Sequence, residues 1–563
     1  MSEQPELLVL NAAVWTDGAV QRGADALAVS GARITAVGWS RDLARLAGPA
    51  TRVLDARGAT LTPALTDAHI HLVHWARSHH EVDLTGSASV REALERVRVF
   101  LGAHPGAEPV VGRGWDANGW SETPERTGLD AVSGDRPVVL HSKDFHALWV
   151  NSAALSRCAI GAGTPDPEGG RIVRDAAGQP TGVLVEHATR LCLRLEEANP
   201  SRDLELVRAA ARRLHALGVT SVHDFEGPAA HRTLRALARE EPPTLRVVMH
   251  LAHGSLEHAL EIGLETGVGD DFFRVGAVKL FADGTLGSRT AALLEPYEGT
   301  DDRGCELLAP PELDAAVRRA FDGKLSVAVH AIGDRAARST LDAFEAAGGL
   351  RWGLTMPPRI EHLQLVHPDD VPRLARAGVA ASMQPLHGTS DAELAERHWG
   401  KRCAWSYPWR TIEDSGALLA FGSDAPVETP SVAAGLHAAV TRERPGRAGA
   451  FVPAQRLTLD EALAAYTRGP ALLSGCWPRQ GSLRPGGAAD LVVWSENLHR
   501  LPPAALASAE PVCTVLAGRV VFERRVAQAV PERPREPSAA AVSGRAPGRG
   551  AETVTTGAGG TRP

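Results

Sequence analysis

His69 and His71 stand two residues apart in Asp67-Ala68-His69-Ile70-His71-Leu72. In an extended segment residues i and i+2 project to one face, so both imidazoles can reach the same point. Such a pair suits a first-row divalent cation. By itself it is a weak signal, because the chain carries 22 histidines. Lys279 is the second unusual residue. It sits in the apolar run Val275-Gly276-Ala277-Val278-Lys279-Leu280-Phe281, and only Lys143, Lys324 and Lys401 accompany it among 60 lysines and arginines. A buried primary amine can lose its proton and then act as a nucleophile or be carboxylated to a carbamate, which a guanidinium cannot do. The plain alternative is a strand-end lysine whose stem packs on its neighbours while the ammonium reaches water. His330, His362 and Asp424 also have ordinary readings, as polar strand ends or, for Asp424, as a turn or helix cap.

What joins these residues is the series of short apolar segments that must position them. Leu61–Ala64 runs into His69 and His71, Val219–Val222 into His223 and Asp224, and Leu245–Met249 into His250. Val275–Val278 runs into Lys279, Leu325–Val329 into His330, and Arg359-Ile360 into Glu361 and His362. Val379–Met383 leads to Gln384 and Leu418–Phe421 to Ser423 and Asp424. Eight such segments, mostly separated by amphipathic helical patterns, predict a (β/α)8 TIM barrel, in which chemistry sits at the strand C-termini. Roughly 145 residues separate the first segment from the second. That is far more than one crossover needs, so residues 75–205 are expected to hold an inserted subdomain with its own β segments at Val110–Gly112, Pro137–Leu140 and Gly182–Val185.

Both ends of the chain read as short β segments. Residues 1–60 and 480–530 are therefore expected to fold together into one small β-sandwich domain beside the barrel of residues 61–479. Residues 531–563 are rich in Pro, Gly, Ala, Arg and Ser, with few large apolar side chains, which predicts a disordered tail.

Composition narrows the function classes. Hydrophobic residues make up 44% and charged residues 23%, ordinary values for a soluble enzyme. A net charge of −7 without a basic stripe argues against nucleic acid as partner. No apolar stretch approaches the roughly 20 residues that span a bilayer, and the acidic start lacks the pattern of a signal peptide. A cytoplasmic protein is the expectation. The six cysteines are scattered without CxxC spacing, so neither a zinc finger nor a disulfide scaffold is indicated.

Six motifs in order carry a resemblance: Asp67-Ala68-His69-Ile70-His71-Leu72, Gly112-Arg113-Gly114-Trp115-Asp116, Val278-Lys279-Leu280-Phe281-Ala282-Asp283-Gly284-Thr285, His330-Ala331-Ile332-Gly333-Asp334-Arg335-Ala336, Arg359-Ile360-Glu361-His362 and Gly422-Ser423-Asp424-Ala425-Pro426-Val427. Together with Gly481-Ser482-Leu483 and Gly486-Gly487-Ala488-Ala489-Asp490-Leu491, they resemble the amidohydrolase superfamily over about residues 5–525. The wording is most similar to its YtcJ-like (amidohydrolase-3) branch, which includes N-substituted formamide deformylase. The resemblance implies one or two divalent ions, zinc first among them. His69, His71 and Asp424 would hold one ion and His330 and His362 a second, with Lys279 as a CO2-derived carbamate bridging the two beside a hydroxide. Two cations about 3.5–4 Å apart would activate water and polarise a carbonyl, and Asp424 would serve as general base and then acid. Glu361 and Asp283 stand beside these ligands in sequence without an assigned role.

On the substrate side, Arg113, Trp115 and Asp116, together with Trp120, belong to the inserted segment and could wall the barrel mouth. His146, with Asp144, follows an inserted β segment, whereas Arg289 and Gln384 follow the fourth and seventh barrel segments. Tryptophans are more often core packing. The expected activity is hydrolysis of a non-peptide C–N bond in a small-molecule amide or formamide through a metal-bound hydroxide. N-acyl amino acid deacylation, anchored by Arg113, Arg289 or Arg335, and cyclic amide hydrolysis remain open, as does a non-catalytic regulatory barrel. A homodimer is compatible with the barrel exterior, although no segment identifies an interface.

Overall fold

The computed structural model describes residues 4–196, 200–348 and 353–524. Its centre is an all-parallel eight-stranded sheet. The strands are β1 (Leu65–Ile70), β2 (Val219–Asp224), β3 (Arg246–Ala252), β4 (Phe273–Phe281), β5 (Val327–Ala331), β6 (Arg359–His362), β7 (Ala380–Met383) and β8 (Leu419–Phe421). They pair in chain order, and β8 returns to β1 through the Asp424 N–H donating to His69 O (2.7 Å) and the His71 N–H donating to Ala425 O (2.9 Å). The protein is thus a (β/α)8 barrel. Closure is tight at Gly422, where a Cβ would stand 2.3 Å from the His69 backbone nitrogen, so no larger residue fits.

Helices cover the barrel by burying one stripe. In Asp334–Ala346, after β5, Ala337, Thr340, Leu341 and Phe344 are buried at spacings of three and four, facing the sheet. The interior is packed as well as covered. Gly276 in β4 leaves room for the His250 ring, whose Nδ1 accepts the Ala277 N–H at 2.9 Å. His250 is therefore a packing histidine.

The first barrel strand departs from expectation. Thr60–Pro63 pairs with Ala13–Thr16 and Leu491–Trp494, and the barrel strand begins at Leu65. The run from Ala59 to Leu65 is apolar enough for either partner. Ala64 divides it, its N–H donating to Asp490 O while the Leu65 N–H donates to Gly218 O. The fourth strand is also longer than expected, so Lys279 lies within β4 and not beyond it.

Segments from both ends of the chain build two further sheets. One is ordered Arg33–Gly38, Ala26–Ser30, Leu7–Leu10, Arg52–Asp55. The other is ordered Arg519–Glu523, Pro511–Leu516, Leu491–Trp494, Thr60–Pro63, Ala13–Thr16, Ala19–Val20. Leu7, Val9, Val29, Leu61, Leu491 and Val515 share their core. Arg246 of β3 donates twice to Asp490, at 2.7 and 3.1 Å, tying the barrel to this sandwich.

The insertion between β1 and β2 forms a six-stranded sheet from Val82–Asp83 to Pro180–Glu186. Pro200–Ala216 returns to the barrel as a helix, with Val207 and Leu214 packed in the barrel core and Asp203 paired to Arg77 at 2.7 Å. Residues 200–205 are therefore barrel helix, because their buried face meets Leu72–Ser78 and not the inserted sheet. The expected tail, 531–563, lies outside the described residues. Among the described residues, no helix is long and apolar enough to cross a membrane.

Candidate metal centre and its cavity

The C-terminal ends of β1, β4, β5, β6 and β8 converge on one cavity of about 710 Å3, which His69, His71, Lys279, His330, His362 and Asp424 all line. That volume suits a small molecule. Asp424 Oδ1 stands 3.4 Å from His69 Nε2 and 3.2 Å from His71 Nε2. The donor atoms of these three residues lie within 4.8 Å of one another, a set that a single divalent cation can use.

Three histidines are oriented for ligation by a bond on their other nitrogen. His69 Nδ1–H donates to Glu361 Oε2 at 2.6 Å, His330 Nε2–H to Gly284 O at 3.1 Å, and His362 Nδ1–H to Gln384 Oε1 at 2.9 Å. Each therefore keeps a free nitrogen for a non-protein partner. Burial holds all three imidazoles well below the usual histidine pKa, with the Lys279 charge adding to the effect. That shift favours the neutral form, which binds metal. Burial opposes ionisation of Asp424, yet His69 and the bonded His71 outweigh it and hold the carboxyl well below the usual carboxylate range. The donor set is thus three imidazoles and one carboxylate beside His71, chemistry that fits a divalent ion.

Lys279 is 3% exposed. Its Nζ lies over the rings of Phe225 at 4.7 Å and Phe281 at 5.0 Å. Burial brings its pKa down to about 8, against the pull of Glu361 and Asp424. A neutral amine is therefore accessible near neutral pH.

The backbone at the site is strained. Phe145, Glu186, Arg289, His362, Leu363 and Asp424 all hold positive φ, between 44° and 74°, at about 1–3 kcal/mol for each non-glycine residue. Surrounding bonds hold that geometry. Asp67 accepts the Ser423 N–H (2.9 Å), the Ser423 hydroxyl (2.5 Å) and the His69 N–H (3.1 Å), locking the end of β8 to β1. Asp283 accepts the Ala292, Ile332 and Gly333 N–H groups at 2.8–3.0 Å. It braces the loops after β4 and β5 and stands 3.9 Å from His330 Nε2.

The inserted sheet supplies one wall. His146 Nδ1 lies 2.8 Å from Glu186 Oε2, and its ring is 5.7 Å from that of His330. Burial alone would lower the His146 pKa, but Glu186 outweighs it and lifts it to about 9. Asp144 accepts the hydroxyls of Thr285 (2.7 Å) and Ser288 (3.2 Å), and Glu186 accepts that of Thr290 (2.5 Å). These bonds fasten the insertion to the loop after β4.

The other expected substrate residues divide. Trp115, Asp116, His146 and Arg289 line the cavity. Trp115 also packs edge-on to Trp149, and Asp116 accepts the Asn118 N–H in a turn. Arg113 and Gln384 do not line it. Arg113 faces Asp83, its partner on the neighbouring strand, at 3.9 Å, and a register shift between Arg113 and Trp115 breaks the alternation that would have put both side chains on the cavity face. Gln384 is spent on His362. Arg335 pairs with Glu306 at 3.3 Å, away from the cavity. Glu361 gained a role that its sequence position only hinted at. His387, after β7, was not foreseen; the one signal available was a histidine three residues beyond Gln384.

Residues 52–522 match the family model described as "Amidohydrolase family". The chain belongs to the amidohydrolase family. It is 31% identical over 498 residues to a putative amidohydrolase, YtcJ, of Bacillus subtilis (strain 168), covering 84% of this chain and 91% of that one. It is also 31% identical over 550 residues to an N-substituted formamide deformylase of Arthrobacter pascens, covering 93% and 99%. An uncharacterized metal-dependent hydrolase from Pyrococcus furiosus superposes with a TM-score of 0.69 at 30% identity, over 86% of this amidohydrolase and 98% of that chain.

Proposed function

We propose that this amidohydrolase is a metal-dependent hydrolase of a non-peptide C–N bond in a small amide or formamide, with zinc as the first candidate ion. The observation that carries this reading is the approach of Asp424 Oδ1 to both His69 and His71 Nε2 at the floor of the cavity. A divalent cation held by His69, His71 and Asp424 would acidify water and polarise a carbonyl. Asp424, ionised and within reach of both imidazoles, accepts the proton of the attacking water and returns it to the departing nitrogen. His330 and His362, each with a free nitrogen, face the same space and offer a second position. Lys279, as its carbamate, would link the two. Glu361 and Gln384 keep the rings in register. His146, held cationic by Glu186, donates to the carbonyl or acyl oxygen from the insertion side. Trp115, Phe145 and Leu286 give the cavity an apolar lining that suits an apolar substituent.

Arg289 favours a second reading. It lines the cavity and is exposed, and its side chain makes no hydrogen bond or ion pair among the described residues. A substrate carboxylate would pair with it, as in an N-acyl amino acid. The test is a hydrolysis screen of the metal-loaded protein against N-substituted formamides, N-acyl amino acids and cyclic amides. Turnover of formamides supports the first reading, and preference for N-acyl amino acids supports the second. No turnover of any class by fully loaded protein overturns both.

A further inference from the structure

Among the histidines at the cavity, His387 is different. It follows β7 on the short helix His387–Ser390, lines the cavity and is 5% exposed. Neither ring nitrogen has a hydrogen-bond partner, whereas His69, His330 and His362 each spend one nitrogen on the protein. A buried imidazole always carries at least one N–H, and leaving it unpaired costs about 1–3 kcal/mol. Packing determines where the ring goes. Gly388 lies so close to Trp409 that a Cβ would stand 2.7 Å from its ring, and the Asp391 N–H closes the turn onto His387 O at 3.0 Å. The Asp391 carboxylate is itself held by the Tyr407 hydroxyl at 3.1 Å. The segment is pressed flat, and the imidazole projects towards Asp424.

Its Nε2 stands 4.0 Å from Asp424 Oδ2. That is too long for a hydrogen bond, and two ligands each about 2.0–2.2 Å from one tetrahedral ion lie about 3.3–3.6 Å apart, within a small movement of this spacing. The donor atoms of His362, His387 and Asp424 all fall within 4.8 Å of one another, so sub-ångström adjustments bring them onto one centre. Asp424 turns its two oxygens in different directions, Oδ1 to His69 and His71 and Oδ2 to His387.

We propose that His387 is a metal ligand that closes a second cation position with His362 and Asp424 Oδ2, as an alternative to the position that His330 and His362 would form with the Lys279 carbamate, so that the Asp424 carboxylate bridges two ions. The inference rests on the metal-dependent reading, not on the substrate. It is tested by counting ions on full-length protein stripped with chelator and reloaded with Co2+ or Zn2+, by elemental analysis and competition against a chromophoric chelator. Wild type is expected to hold two ions. His387→Ala should weaken one of them by at least tenfold and change the visible Co2+ spectrum, while His387→Cys, which offers a new ligand, should restore the second ion. Losing the unpaired ring should leave thermal unfolding of the metal-free protein unchanged or higher; if the alanine variant does not fold, His387→Gln is counted in its place. Wild-type stoichiometry and affinity in the alanine variant overturn the proposal, as does a wild type that saturates with one ion. Ion counting needs no turnover. A chain that loses an ion with His387 but cleaves no amide contradicts only the hydrolytic reading, and one that cleaves amides with both ions retained in His387→Ala contradicts only this inference.

Discussion

Glu361 Oε2 lies 2.6 Å from His69 Nδ1, and both side chains are fully enclosed. The carboxylate is anchored on its far side by Arg359, whose Nε stands 2.5 Å from Oε1. Arg359 in turn donates to Ala68 O at 2.7 Å. One chain of contacts across the barrel floor thus selects the Nδ1–H tautomer of His69 and presents Nε2 to the cavity. Glu361→Gln keeps the size and one acceptor but loses the charge. Metal affinity should fall about 10- to 100-fold, measured by chelator competition, and wild-type affinity would remove Glu361 from the metal's support.

Asp424→Asn tests the proton carrier. The amide keeps a ligating oxygen but cannot take up a proton, so kcat should fall about 10²- to 10⁴-fold, while at least one ion remains bound. Near-normal turnover on any hydrolysed amide would exclude Asp424 as the base.

Lys279→Arg preserves charge but not the amine. Arginine cannot form the carbamate, and its larger head would crowd Phe225 and Phe281. Activity should be lost, and Lys279→Ala should regain part of it with added bicarbonate or a short carboxylate. Full activity of the arginine variant would make Lys279 a packing residue.

The His146–Glu186 pair predicts a pH dependence of stability in metal-free protein. The folded pKa of His146, about 9, is raised above its ordinary 6.5. Its contribution is therefore complete below about pH 6.5 and disappears as pH rises through 9. The unfolding temperature should decline over that window, with a loss of no more than about 3 kcal/mol, and Glu186→Gln should flatten the decline. An equal slope in that variant would show that the pair is not responsible.

Arg289→Ala should raise KM for carboxylate-bearing amides with little change in kcat, and leave neutral formamides unaffected. This pattern reports binding shared by ground and transition states. Equal effects on both substrate classes would rule out a carboxylate anchor.

Local pattern was enough to read the order of barrel strands and to bring His69, His71, Lys279, His330, His362 and Asp424 to one mouth. Alternation and segment ends say which face a side chain takes and where a strand stops. They do not say which strand is the partner. Hence Thr60–Pro63, apolar and extended, read as barrel although it pairs in the terminal sandwich, and Arg113 read as a substrate contact although its register turns it towards Asp83. The choice of nitrogen on each histidine depends on residues up to 292 positions away, as between His69 and Glu361. His387 needed the packing of Gly388 on Trp409 to become part of the site at all. The sequence by itself determined the barrel and the types of side chain at its mouth, because these follow from short-range periodicity and spacing, and its motifs in order carried the family resemblance. Only the tertiary structure decided which atoms point inward, because that depends on contacts closed across the barrel between residues far apart in the chain.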